Sequence, residues 1–174
     1  MSGPPELLGP LVAGADPAMA LVTTRSAAGE HGGCLVGFHC QCSISPERYA
    51  VWLSVTNHTY GLARDATHLA VHFLASGDRA LAERFGGSSG DDLEGGGDGK
   101  FAGLTWREAA GGVPLLAAVD RWFVGRIVDR RAGGDHEWIE LAPVEGVELS
   151  EQGGPDWTPL RLSDVDDVDP GHDP

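Results

Sequence analysis

The run Ser54-Val55-Thr56-Asn57-His58-Thr59-Tyr60 gathers hydroxyl, amide and imidazole groups where an apolar strand gives way to a helix start. The first turn of a helix leaves backbone N–H groups without internal partners, and such turns bind anions. Ser54, Asn57, His58, Thr59 and Tyr60 are therefore candidates to hold a phosphate. The same residues also suit a plain helix cap, with Asn57 or Thr59 accepting from the turn. A second set lies in residues 33–45, where Gly37 stands between Val36 and Phe38 and is followed by His39 and Cys40. A position without a side chain lets a flat ring approach the backbone, or marks a bulge or bend. His136 is the third candidate. It ends the turn Gly134-Asp135-His136, where an imidazole could meet a ligand or simply be solvated.

Cys34, Cys40 and Cys42 alternate along the second set, and with His31 or His39 they offer soft ligands. A Cys-x-Cys pair lacks zinc-finger spacing, so the sequence points to buried, inert thiols and to no metal site. Three crowded cysteines do not form a secreted disulfide framework, which places the chain in a reducing, cytoplasmic setting. No nucleophile elbow, His-Glu-x-x-His, dinucleotide glycine fingerprint or Walker loop occurs, which removes several common enzyme classes.

The elements that must position these residues are short. Residues 18–24, 34–43 and 50–55 read as strands, the last apolar on both faces and so buried on both. Within 34–43 the alternation puts Cys34, Val36, Phe38, Cys40 and Cys42 on one face. A helix is predicted over 59–66, a strand over 69–75, and a helix beginning near Asp78 and stopping at Gly86. A glycine-rich loop follows over 86–99. Residues 105–109, 117–129 and 136–144 read as further strands, the last two forming a hairpin that closes a barrel. The pattern predicts one domain over residues 1–150 and an acidic tail over 151–174. That tail is too charged to pack as a core element, and so is solvated or laid across a partner subunit.

With 174 residues, 41% hydrophobic and 22% charged, the chain can bury a core. Its 26 glycines and 11 prolines favour strands and turns over long helices. A formal charge of -14 repels phosphate backbones and anionic membranes. Nucleic acid and membrane are accordingly not expected as partners, and the N-terminus reads as neither signal peptide nor membrane span.

The ordered segments resemble the flavin reductase-like family of FMN-binding split barrels over about residues 12 to 145. The resemblance rests on Leu21-Val22-Thr23-Thr24-Arg25, Ser43-Ile44-Ser45-Pro46, Val51-Trp52-Leu53-Ser54 and Leu69-Ala70-Val71-His72-Phe73-Leu74. It continues in Leu81-Ala82-Glu83-Arg84-Phe85, Asp98-Gly99-Lys100-Phe101 and Gly134-Asp135-His136. It implies a mainly β fold with short helices, an FMN-binding split β-barrel. It further implies a homodimer with FMN, or alternatively FAD, at the subunit boundary. The implied reaction is hydride transfer from NAD(P)H to flavin, with a monooxygenase as the partner supplied. By the same likeness, the strand bearing Val36, Gly37, Phe38, His39 and Cys40 lies under the isoalloxazine ring. The turn Asn57 to Tyr60, next to Ser54, receives the phosphate, and His136 has a binding or proton-handling role. Leu35, Gly37, Phe38 and Cys40 stand where the family usually has serine or threonine, and His72 stands where it has asparagine. The alternatives are a flavin- or haem-binding split barrel without reductase turnover, and a nonenzymatic dimeric module recruiting a basic partner through its acidic tail.

Overall fold

The computed structural model describes residues 7–88, 96–149 and 157–169. After a surface helix α1 (Gly9–Ala15) come strands β1 (Ala20–Arg25), β2 (His31–Val36), β3 (His39–Ile44) and β4 (Glu47–Ser54). Helix α2 (His58–Ala63), β5 (His68–Phe73) and helix α3 (Arg79–Gly86) follow. Then come β6 (Trp106–Glu108), β7 (Pro114–Leu116) and a long hairpin of β8 (Trp122–Gly133) and β9 (His136–Gly146). Seven strands form one sheet in the order β2-β1-β5-β8-β9-β4-β3, every pair antiparallel, and β6 with β7 makes a separate ribbon.

That order forces the sheet to curl. β2 and β3 lie at its two ends but are joined only by Gly37 and Phe38. Seven strands at ~4.8 Å spacing, laid flat, would hold the end strands ~29 Å apart. The three Cα steps from Val36 to His39 reach at most about 11 Å. The edges must therefore approach each other at this turn, where the Trp52 N–H donates to the Phe38 carbonyl at 2.9 Å and carries the β4–β3 ladder into the corner.

The barrel interior is filled by alternate residues of its strands: Ala20 and Val22 of β1, Cys34 and Val36 of β2, Val51 and Leu53 of β4, Leu69 and Val71 of β5, Ile139 and Leu141 of β9. Leu21 faces the other way, into a second cluster with Leu74, Phe85, Phe101, Leu116 and Leu160. β1 is thus buried on both faces. His72 ties these layers together. Its Nε2 accepts from the Leu116 N–H at 3.1 Å, so its Nδ1 carries the proton and donates to the Leu21 carbonyl at 3.2 Å. Complete burial holds this imidazole neutral, with its pKa pulled down to about 4.

Three expectations are corrected. The single strand over 34–43 is two strands, broken at Gly37 and Phe38, because barrel closure needs a corner there. The break leaves Cys34 buried while Cys40 and Cys42 are exposed, so the thiols do not share one face. β8 starts at Trp122 instead of residue 117, because β7 already ends the preceding apolar run. Residues 157–169 are not a solvated tail. Leu160 and Val165, at 0% and 5% exposure, enter the second core between aspartates that stay at the surface. Residue bridges Ala18 to Arg161 and Ala75 to Pro159 bind the segment to the barrel. The loop expected over 86–99 lies partly outside the described residues.

Candidate functional site

The corner that closes the barrel also lines a cleft of about 220 Å³. Val36, Gly37 and Phe38 form one wall, and the end of β4 with Trp52, Leu53 and Ser54 forms the next. Asn57 and His136 lie at the polar side, and Met19, Cys34, Leu35 and Leu162 complete the lining. Residues distant in sequence meet here through two features of register. β4 pairs with β9 so that Ser54 is opposite His136, and the Val55 N–H donates to the Asp135 carbonyl at 2.9 Å. The turn that presents His136 uses Gly134 at φ 78°, in the left-handed region that glycine enters without strain.

His136 is held on two sides. Its Nδ1 is 2.7 Å from Asp135 Oδ1, and its ring centroid is 5.1 Å from that of Phe38. The hydrogen bond from His136 holds the Asp135 carboxyl below its usual range. With Nδ1 engaged, Nε2 is the nitrogen left for a ligand. Phe38 is 53% exposed, so an aromatic face stands open at the mouth of the cleft. A methyl group at Gly37 would come within 3.4 Å of Met19 Sδ, so side chains there narrow the cleft.

The polar side differs from a bare helix terminus. Asn57 Oδ1 accepts from the Thr59 N–H at 2.8 Å, and the Asn57 carbonyl accepts from the Tyr60 N–H at 3.0 Å. Those two backbone donors are spent on capping. The side chains that line the cleft on this side are Asn57, whose amide oxygen is used by the cap, and Ser54, whose hydroxyl is 3.0 Å from that of Thr56.

Six of the sequence candidates therefore come together: Val36, Gly37, Phe38, Ser54, Asn57 and His136. The others do not line the cleft, for identifiable reasons. His39 Nε2 donates to the Ala18 carbonyl at 2.9 Å, so its Nδ1 accepts from the Tyr49 hydroxyl at 2.6 Å. That pairing makes it a strut between strands, and burial pulls its pKa down. Cys40 is exposed on the edge strand β3. Thr59 is buried behind Gly32, near the Cys34 thiol, which burial pushes up to about 11. The Tyr60 hydroxyl donates to Glu137 Oε2 at 3.2 Å, and His58 Nε2 lies 3.1 Å from Glu30 Oε1. Sequence reasoning missed Met19, Leu35, Trp52, Leu53 and Leu162 as site residues, none of which carries distinctive chemistry. It also gave no role to Lys100, whose buried Nζ donates to the carbonyls of Gly33 and Phe85 at 3.1 and 3.0 Å. That ammonium fixes β2 to α3 directly behind the cleft wall.

The model of the flavin reductase like domain matches residues 17–163, which takes in both walls of this cleft and the His136 turn. The chain belongs to that family. An FMN reductase (NADH) RutF 1 from Methylorubrum extorquens is 32% identical over 135 residues, covering 78% of this chain and 63% of the relative. The chain thus spans less than two thirds of the length of that curated relative. A flavin reductase domain protein from Arthrobacter sp. FB24 superposes with a TM-score of 0.70 at 23% identity, over 89% of this chain and 90% of that one. An FMN-binding protein from Thermus thermophilus, solved with bound 1-cyclohex-2-enone, gives 0.73 at 21% identity, over 90% and 84%. These likenesses establish the fold as the mainly β split barrel of that family. No helix among the described residues is long and apolar enough to cross a membrane.

Proposed function

We propose that this flavin reductase family member binds FMN in the cleft at the barrel seam. There it passes a hydride from NADH or NADPH to flavin, and it supplies reduced flavin to a monooxygenase. The observation that carries this reading is the meeting of the Gly37 corner, the Ser54 and Asn57 side chains, and His136 in one cleft. The residues fit the group in kind. A glycine corner and an aromatic wall suit a flat ring, and hydroxyl and amide donors at one end suit a phosphate carried by an otherwise acidic chain.

The cleft is small for the whole nucleotide. Its volume of about 220 Å³ is below the roughly 300–1,000 Å³ usual for ligand sites. One chain thus contributes part of the enclosure. A homodimer with the open Phe38 side covered by a second copy would complete it. The three free thiols suit a cytoplasmic location.

When bound, flavin supplies the hydride acceptor. The chain's own part is binding and orientation. The 33–37 backbone would support the ring, while Ser54 and Asn57 would hold the phosphate through side-chain donors. His136, fixed by Asp135 and Phe38, would present Nε2 to the nicotinamide donor and hold it at the ring face. His39, Cys40, His58, Thr59 and Tyr60 support the walls from behind or lie outside them.

The test is spectroscopic. Purified protein reconstituted with FMN should retain a flavin absorbance through gel filtration, and anaerobic NADH or NADPH should bleach it. Retention without bleaching by either donor would make the protein a carrier without turnover, and no retention of FMN or FAD would remove the proposal.

A further inference from the structure

With 26 acidic against 12 basic residues, any surface that gathers arginines here runs against the field of the whole molecule. One such surface lies at the C-terminal end of α2. There Arg64, Ala66 and Thr67 meet Arg126, Ile127 and Arg130 of β8 around an open cleft of about 640 Å³.

Arg130 has an ordinary explanation. Its Nη2 donates to the carbonyls of Ala63 and Ala66 at 2.6 and 3.2 Å, which satisfies the end of α2, and its Nη1 is 3.4 Å from Glu137 Oε1. A guanidinium carries five N–H donors, so this fork is held rigidly with donors to spare. Arg64 and Arg126 have no such explanation. Both are exposed, and among the described residues neither guanidinium takes part in a hydrogen bond or ion pair, although both backbones do.

Of the two acids of the cleft, Asp129 is ion-paired and Asp65 makes one backbone hydrogen bond, against the three arginines Arg64, Arg126 and Arg130. Asp129 Oδ2 accepts from Arg131 at 3.1 and 2.9 Å, and its Oδ1 accepts from the Arg130 N–H. Asp65 Oδ1 accepts from the Ala27 N–H at 3.1 Å. The cleft is left with a local excess of positive charge and with apolar surface from Ala66 and Ile127 beside it.

We infer that this cleft binds a polyphosphorylated small molecule. Arg64 and Arg126 grip adjoining phosphates, and the anchored Arg130 sets the position. Planar guanidinium forks match phosphate oxygens in pairs, which suits this pattern better than it suits a single carboxylate. The cleft is shallow and open, and its volume of about 640 Å³ is within the range of small-ligand sites. It shares no lining residue with the flavin cleft, which lies at the other end of α2. Inorganic polyphosphate and the diphosphate of a nucleotide offer the same chemistry.

Calorimetric titration of FMN-saturated protein with inorganic pyrophosphate and with ADP, at low ionic strength, tests the assignment. Saturable binding is expected. Equal affinity for the two probes would identify a free polyphosphate ligand, and ADP binding at least about tenfold tighter would identify a nucleotide whose base uses the apolar side. Joint replacement Arg64→Ala with Arg126→Ala should weaken the better probe by about tenfold or more. If that variant fails to melt cooperatively, Arg64→Lys with Arg126→Lys keeps the charge and removes the fork, and weaker binding is again expected. The inference is overturned if neither probe saturates, if a folded double variant binds as well as the wild type, or if additional FMN displaces the probe.

Discussion

His72 should make the barrel acid-sensitive in a way that a single substitution removes. The ring is buried, neutral and doubly bonded, with its pKa near 4 against an ordinary 6.5. Because the folded value lies below the unfolded one, the unfolded chain takes up a proton first as pH falls. The stability associated with the neutral ring is complete above pH 6.5 and is lost progressively towards pH 4. At about 1.4 kcal/mol per pH unit, the 2.5-unit gap between those two values is worth about 3 kcal/mol in all, and about 2 kcal/mol between pH 6.5 and 5. The perturbation is His72→Asn, which keeps a side chain able to donate and accept but removes the titration. Urea melts of both proteins at several pH values between 7.5 and 4.5 provide the assay, and their slopes against pH are compared. Surface carboxylates act on both proteins alike, as does His39, whose pKa is also pulled down by burial, and they cancel in the difference. The variant should start less stable, because its geometry fits the Leu116 and Leu21 backbone less well, but should lose about 2 kcal/mol less on going to pH 5. Parallel slopes for the two proteins would refute the claim that a neutral buried imidazole joins these layers.

Three other substitutions address the site and its support. Asn57→Ala removes the acceptor from the Thr59 N–H, which should cost about 1 kcal/mol in thermal or urea melts. It should also speed FMN loss on dialysis. Asp135→Asn takes the carboxylate from His136 Nδ1 while leaving the cleft walls in place, so FMN retention should persist while the rate with NADH falls. Equal rates would separate His136 orientation from turnover. Leu160→Ala should destabilise by about 2–5 kcal/mol if residues 157–169 form part of the core, whereas a change within about 0.5 kcal/mol would indicate a surface segment.

The strands were legible in the sequence because their alternation is local. Val51 and Leu53 alternate with Trp52, and Ala20 and Val22 alternate with Leu21, so one inward face is readable from a few residues. The corner at Gly37 was legible only as a choice between a bulge and a ring seat, and the fold makes it both a bend and a wall. His39 looked like a ligand since nothing in its neighbours reveals that Tyr49 and Ala18 claim both of its nitrogens. The α2 turn read either as an anion seat or as a cap by Asn57 or Thr59, and the Asn57 side chain makes the cap. Leu160 and Val165 were hidden by the surrounding aspartates, whose average charge outweighed two buried positions. Met19 and Leu162 reach the cleft from residues more than a hundred positions apart, which no short-range pattern encodes.

The junction of β2 with β3 has a consequence for assembly. The two edges of the sheet are joined through the turn at Gly37 and Phe38, and the seam cleft is lined by that same turn. A ligand seated there bridges the first strands and the last, so its affinity adds to the work needed to open the cylinder. Damage to the join should therefore show as loss of bound chromophore before any loss of strand signal, which makes colour a gauge of whether the wall is shut.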